Sequence, residues 1–251
     1  MTRIPIGLGS LLLMVSAAAL AEPGSVPTRF TSGKDRVALV ELYTSEGCSS
    51  CPPADRWLSK LKSDSRLWRA FVPVAFHVDY WDYIGWKDRF ARPAFSDRQR
   101  RYAAARRART VYTPGFFQNG EEWLGWFRGD SFDPDTSPVG TLQIRLDDAG
   151  FTAEFAPRHQ DYGALVIHFA VLGMGLRSEI KAGENAGSTL EHDFVALETM
   201  AVRLDKQGER YFAKTTLPIV DHVEGDRAIV AWVVEMDDPT PIQAVGGILP
   251  D

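Results

Sequence analysis

The chain has 251 residues, 45% of them apolar and 24% charged, with a formal net charge of −5. That is long enough for one large domain or two ordinary ones, and the mix is that of a globular protein. The acidic balance offers no global field for nucleic acid, so a nucleic-acid partner is not expected.

The N-terminus reads as a targeting segment over residues 1–21. Arg3 supplies a positive start, Ile4 to Leu20 is apolar around Leu11-Leu12-Leu13-Met14-Val15, and Ala19-Leu20-Ala21 meets the small-x-small cleavage rule. Gly7, Gly9 and Ser16 weaken the alternative of an uncleaved anchor. No later stretch is suited to span a membrane. The expectation is export, cleavage after Ala21, and a mature protein that is periplasmic or secreted, where disulfides persist. Residues 22–35 are polar, with Pro23, Gly24, Pro27 and Gly33, and read as a linker.

Arg36 to Tyr43 shows little alternation, as in a strand buried on both faces. A loop with Cys48 and Cys51 follows. Pro52 and Pro53 suit the first turn of a helix, and Ala54, Trp57, Leu58 and Leu61 recur at helical spacing. Phe71 to Val78 is a second buried strand, and strand–helix–strand implies a parallel pair. An aromatic loop, Asp79 to Trp86, comes next. Ser96 with Gln99 reads as a capping box opening a helix to about Arg109, whose arginines read as a solvated face. Asn119-Gly120 marks a tight hairpin, with Trp123 to Phe127 returning.

From Asp130 to Pro138 the composition shifts and marks a boundary. Beyond it strand-like runs dominate: Thr141 to Leu146, Phe151 to Phe155, Ala164 to Leu172, Phe194 to Leu204, Arg210 to Thr216 and Ile229 to Glu235. Many strands separated by turn signals suggest a β-sandwich. The predicted organisation is an α/β domain over 36–132 and a β-rich, sandwich-like domain over 138–251.

The chemistry centres on Cys48 and Cys51, the only cysteines. A pair at i and i+3 where a strand meets a helix can close a disulfide without moving the backbone. A helix N-terminus favours the thiolate of the first cysteine, so Cys48 is the expected attacking sulfur, the more accessible and more acidic of the two. Cys51, one turn in, would resolve the mixed disulfide. The other reading is an idle structural disulfide, although so short a loop removes little chain entropy. Glu41, inside an apolar strand, is read either as a proton-transfer group for Cys51 or as a strand-end carboxylate facing water. His77 ends the second strand, where it either completes a Cu(I) site with Cys48 and Cys51 or is a hydrogen-bonded core histidine. Tyr80, Trp81, Tyr83 and Trp86 are read as a contact surface beside the thiols or as packing against the β-rich part.

Two blocks carry a family resemblance. Val40 to Asp55, with its Tyr43-Thr44-Ser45-Glu46-Gly47-Cys48-Ser49-Ser50-Cys51-Pro52-Pro53 centre, resembles the signature of a bacterial exported family, domain of unknown function 1223. Phe76 to Asp88 resembles that family's second block. Tyr112-Thr113-Pro114 resembles its third, and Gly183-Glu184-Asn185, Gly187 and Leu190 to Asp193 resemble a block in its C-terminal half. The family's N-terminal part is similar to thioredoxin. The resemblance therefore implies a thioredoxin-like α/β domain over 36–132, with Cys48 and Cys51 as a redox pair. It implies that Thr113-Pro114 is a cis-proline loop facing that pair, and that Glu41 stands for a buried acid. No closing helix is visible after Phe127.

The expected function is that of an exported thiol–disulfide oxidoreductase. Cys48, Cys51, Pro114 and Glu41 are its catalytic set, and Thr113, Trp81 and Tyr80 its substrate-binding set. Its partners would be protein or small thiols, and it needs no cofactor. The alternatives are a copper-binding module using Cys48, Cys51 and His77, or a non-enzymatic interaction module.

Overall fold

The computed structural model describes residues 27–105, 107–130, 132–148, 150–158, 162–217 and 225–250. The expected targeting segment and the expected cleavage after Ala21 lie outside the described residues.

In chain order the elements are β1 (Thr28–Thr31), β2 (Ala38–Thr44), α1 (Pro52–Lys60), β3 (Phe71–His77), α2 (Pro93–Ala104), β4 (Gly115–Gln118) and β5 (Glu121–Glu122). A helical turn, α3 (Gly125–Arg128), precedes β6 (Gly140–Asp147), β7 (Gly150–Pro157), β8 (Leu165–Gly173), β9 (Leu176–Glu179) and β10 (Thr189–His192). The last strands are β11 (Val195–Arg203), β12 (Asp205–Gln207), β13 (Arg210–Thr215), β14 (Arg227–Glu235) and β15 (Asp238–Ile248).

Among the described residues the strands form three sheets. The largest has eight strands in the order β15-β14-β8-β11-β3-β2-β4-β5. Five strands, β1-β6-β7-β13-β12, form a second sheet, and β9 with β10 forms a third. β2 and β3 are parallel, as a crossover through α1 requires. Both are buried along their whole length, which accounts for their unbroken apolar runs. β6 and β7 alternate between buried and part-exposed residues, as strands with one solvated face do.

The expected division into a thioredoxin-like α/β domain and a separate β-rich domain is corrected here. No self-contained α/β unit forms. β3 joins β11 by a parallel bridge, Val195 against Ala75, supported by Ala75 N–H donating to the Phe194 carbonyl at 2.8 Å. β11 pairs in turn with β8, and β8 with β14, so one sheet runs through both halves of the chain. The physical reason is edge satisfaction. An unpaired β3 edge would leave its N–H and C=O groups without partners, and strands from the C-terminal half fill it.

The core follows this arrangement. Ile229, Ala231 and Val233 of β14 face the five-stranded sheet, where Phe151 stacks on Phe169 with ring centroids 4.4 Å apart. Ala228, Val230, Trp232 and Val234 face the other way, into the cluster that holds Leu39, Tyr43 and Phe76. α1 and α2 cover opposite faces of the large sheet. Adjacent residues of a strand point to opposite faces. Phe116 packs on Trp57 of α1, whereas Phe117 stacks on Tyr102 of α2.

Smaller differences also have causes. Residues 28–31, read as linker, pair with β6 as β1. Asn119 and Gly120 both have positive φ, as the expected tight hairpin demands, but the returning strand is only two residues long before α3. α2 begins at Pro93, and Ser96 bonds Asp79 instead of capping the helix. Arg98 does not belong to a solvated face; it is buried.

Candidate functional site

β2 ends at Thr44 on the α1 face of the sheet, and the chain turns at once. Cys48 N–H donates to the Ser45 carbonyl at 3.1 Å, and Gly47 N–H to Ser45 Oγ at 3.1 Å. Cys51 is the N-cap of α1; its carbonyl accepts from Ala54 N–H at 2.8 Å and from Asp55 N–H at 3.1 Å. The two cysteines form a disulfide, their Cα atoms 5.4 Å apart. Ser50 Oγ lies 3.3 Å from Cys48 Sγ. The expected difference in accessibility is absent: both cysteines are fully buried, while Ser49 and Ser50 between them are exposed.

Two groups of residues enclose the motif. Above it, Asn185 Nδ2 donates to the carbonyls of Glu46 (2.8 Å) and Cys48 (3.0 Å), and Ser49 N–H donates to Glu184 Oε2 (3.1 Å). Beneath α1 lies a buried polar cluster of Glu46, Asp55, His77, Asp88 and His192. His77 Nδ1 and Asp88 Oδ2 are 2.7 Å apart, and Asp88 also accepts from the N–H groups of Glu46 and Phe90 at 2.9 Å each. Trp86 Nε1 donates to Glu46 Oε2 at 2.7 Å, and His192 Nε2 lies 3.5 Å from Glu46 Oε1. The rings of His77 and His192 meet edge to face, centroids 5.0 Å apart.

Burial, with the charge of Asp88 adding to it, raises the carboxyl of Asp55 above its ordinary range, more than the nearby histidines lower it. Burial works against ionisation of His77 and Asp88 as well, but there the mutual attraction and hydrogen bond win. His77 is raised and Asp88 is lowered.

The family described as "Protein of unknown function (DUF1223)" matches residues 39–234, a span that holds both cysteines, the buried cluster, Glu184 and Asn185. The chain belongs to the DUF1223 family. Two solved structures share its fold. One is protein AGR_C_4864 from Agrobacterium tumefaciens, 23% identical, with a TM-score of 0.60 over 86% of this chain and 96% of the other. The second is HBP35 of Porphyromonas gingivalis, 15% identical, with a TM-score of 0.57 over 87% of this chain and 76% of the other. No curated protein matches the chain.

Within this DUF1223 fold the expected site residues separate into two groups. Thr113 and Trp81 stand beside the motif: Trp81 Nε1 donates to Thr113 Oγ1 at 2.7 Å, and a Cβ placed on Gly47 would lie 3.1 Å from Trp81 Cβ. The Thr113–Pro114 bond is cis. Tyr80 is half-buried and donates to Gln99 Oε1 at 3.0 Å. Of the aromatic loop, Ile84 and Trp86 meet the C-terminal half at Gly183, while Tyr83 is 82% exposed.

Glu41 is not brought to the cysteines. It lies on the α2 face, opposite α1, and binds Arg98 at 2.6 Å and Tyr102 at 2.5 Å. It is therefore neither a proton group for Cys51 nor a carboxylate in water. His77 is held by Asp88, and among the described residues no group of three or more His, Cys, Asp or Glu side chains is placed to hold a metal ion. Asp55, four residues after Cys51 on α1, is a buried acid on the cysteine side of the sheet, together with Glu46 and Asp88. It escaped the sequence reading because an aspartate in a first helical turn has an ordinary role there.

The pair of His77 and Asp88 sets a pH dependence. A raised histidine contributes fully below its unfolded value of about 6.5, and that contribution is lost as pH rises through the raised folded value. A lowered carboxyl contributes fully above about 3.9, and that is lost as pH falls through the depressed folded value. The contribution of this pair is therefore largest between about pH 4 and pH 6.5. In melts across pH, His77→Gln should flatten the alkaline limb. An unchanged alkaline limb in that variant would show that another group sets it.

Proposed function

We propose that the protein is a thiol–disulfide oxidoreductase acting outside the cytoplasm, exchanging the Cys48–Cys51 disulfide with protein or small thiols. One observation carries this reading: the chain's only two cysteines are joined at the junction of a central strand and a helix N-terminus. A bridge over so short a loop stabilises the fold little, so its value lies in being opened and closed. The helix N-terminus favours thiolate at this junction, Ser50 Oγ is placed to bond Cys48 Sγ, and Asp55 is a buried carboxyl one helical turn from Cys51. The leader-like residues 1–21 support a periplasmic or secreted location, which suits a persistent disulfide. Mass spectrometry of the exported protein is expected to find Glu22 at its N-terminus; a retained Met1 counts against export by cleavage.

The reading is tested by the reduction potential of the pair, measured in redox buffers, together with turnover of a disulfide substrate such as insulin. A potential above about −300 mV with turnover supports exchange. A potential below that value without turnover leaves an interaction module with an idle disulfide. The complete burial of both sulfurs favours that second reading.

A further inference from the structure

The residues between the cysteines are exposed, yet neither cysteine has exposed surface. Residues from far along the chain hold the backbone of the motif, while Trp81 and Ile84 pack beside it at Gly47. Residues 180–188 join β9 to β10, and this hairpin pairs only with itself, outside both larger sheets. Its tip turns on Gly183 (φ +76°) and Gly187 (φ +82°), conformations that glycine adopts without strain. It is closed by Gly187 N–H donating to the Ile180 carbonyl at 2.8 Å. From the tip, the buried Asn185 amide holds the Glu46 and Cys48 carbonyls, and the exposed Glu184 carboxylate holds Ser49 N–H. These three bonds fasten the tip to the motif. Breaking them removes no ladder bond from the eight- or five-stranded sheet.

We propose that residues 183–187 form an autoinhibitory clamp over the Cys48–Cys51 disulfide, held by Glu184 and Asn185, which lifts before a thiolate can reach Cys48 Sγ. The clamp regulates the site of the proposed redox function and rests on that reading for its purpose. Its test does not, because a chemical reductant reports access alone.

The step to be timed is balanced. One thiolate of dithiothreitol attacks Cys48 Sγ, forming a mixed disulfide and releasing Cys51 as a thiolate that takes up a proton. The reagent's second thiol, deprotonated, attacks its own sulfur in that mixed disulfide and releases the Cys48 thiolate, which is protonated. Cyclic oxidised reagent and two protein thiols remain, two electrons having passed to the protein.

The experiment measures thiol appearance in the mature protein under excess dithiothreitol, by quenched alkylation. Wild type is compared with Asn185→Ala and Glu184→Ala. Asn185→Ala, which loses two bonds, is expected to be reduced about tenfold faster, and Glu184→Ala about threefold faster. Hydrogen exchange of the Ser49 amide should be slow in the oxidised wild type and rise in the variants by the same factors. Because Glu184 is exposed, its variant keeps the fold even if Asn185→Ala does not. Wild-type reduction rates in the folded variants overturn the clamp, as does an unprotected Ser49 amide in wild type. A reduction potential below about −300 mV would instead overturn the redox reading, with the clamp's rates unaffected.

Discussion

Arg98→Met is expected to cost about 3–5 kcal/mol of folding stability, because it strands a buried carboxylate. Arg98 points from α2 into the sheet, where its Nε donates to Glu41 Oε1 at 2.6 Å and its Nη2 to Tyr102 Oη at 2.9 Å. Tyr102 donates to the other oxygen of Glu41 at 2.5 Å, and Tyr43 donates to Oε1 at 3.2 Å. Burial, with Glu41 adding to it, pushes both phenols well above their usual range, so they remain neutral donors. The guanidinium also lies 4.8 Å from the ring centroid of Trp232 on β14. One charge thus ties β2, α2 and the C-terminal half together. Removing it leaves Glu41 with two phenol donors and no counter-charge in a fully buried site. The double variant Arg98→Met, Glu41→Leu should recover most of the loss, since an apolar pair of similar volume avoids both desolvation costs. Urea melts decide. A loss under about 1 kcal/mol in the single variant would mean that water enters the site and screens Glu41.

That network shows where the sequence was readable and where it was not. The strands of the first half were legible because Val37 to Tyr43 and Phe71 to Val78 are apolar on both faces, and Leu142, Ile144 and Leu146 announce β6 by alternation. The pairing of β3 with β11 was not legible. It is made by backbone groups, and nothing in the side chains of Ala75 or Val195 encodes the partner. β9 and β10 carry Arg177, Glu179 and Glu191 on their exposed positions and are too short and polar to stand out. β15 was hidden by Pro239, Pro241 and Gly246-Gly247, which read as loop. The glycines have a packing reason: a Cβ on Gly247 would fall 2.1 Å from the Phe30 ring. Within the site, the cysteine spacing announced itself. Glu41 stood out as a carboxyl in an apolar strand, but neither of its readings held: only the face of the sheet separates a partner of Arg98 from a partner of Cys51, and face was not readable for a strand buried on both sides. Glu184 and Asn185 sit in a polar turn whose composition gives no hint of what it covers.

Cys48→Ser is expected to abolish thiol–disulfide exchange, to the rate of the buffer alone, whereas Cys51→Ser should accumulate a stable mixed disulfide on Cys48. The asymmetry follows from position. Cys48 is followed by the exposed Ser49 and Ser50, and the Glu184 and Asn185 bonds are made to Ser49 N–H and the Cys48 carbonyl, so opening them loosens the Cys48 side of the motif. Cys51 is followed by Pro52 and Pro53, caps α1, and has the buried Asp55 one turn below it. A thiolate attacking Cys48 therefore expels Cys51, and Asp55, whose carboxyl burial raises, is the buried acid one helical turn from Cys51. With serine at 51 no second sulfur exists to resolve the complex, so the partner stays attached. The measurement is non-reducing electrophoresis followed by peptide mapping of the adduct after expression of each variant. Adducts on Cys51 in the Cys48→Ser protein, at the level seen on Cys48 in the Cys51→Ser protein, would reverse the assigned order of attack. Adducts in neither variant would remove exchange altogether and leave the disulfide as a fixed pin beneath the 183–187 loop.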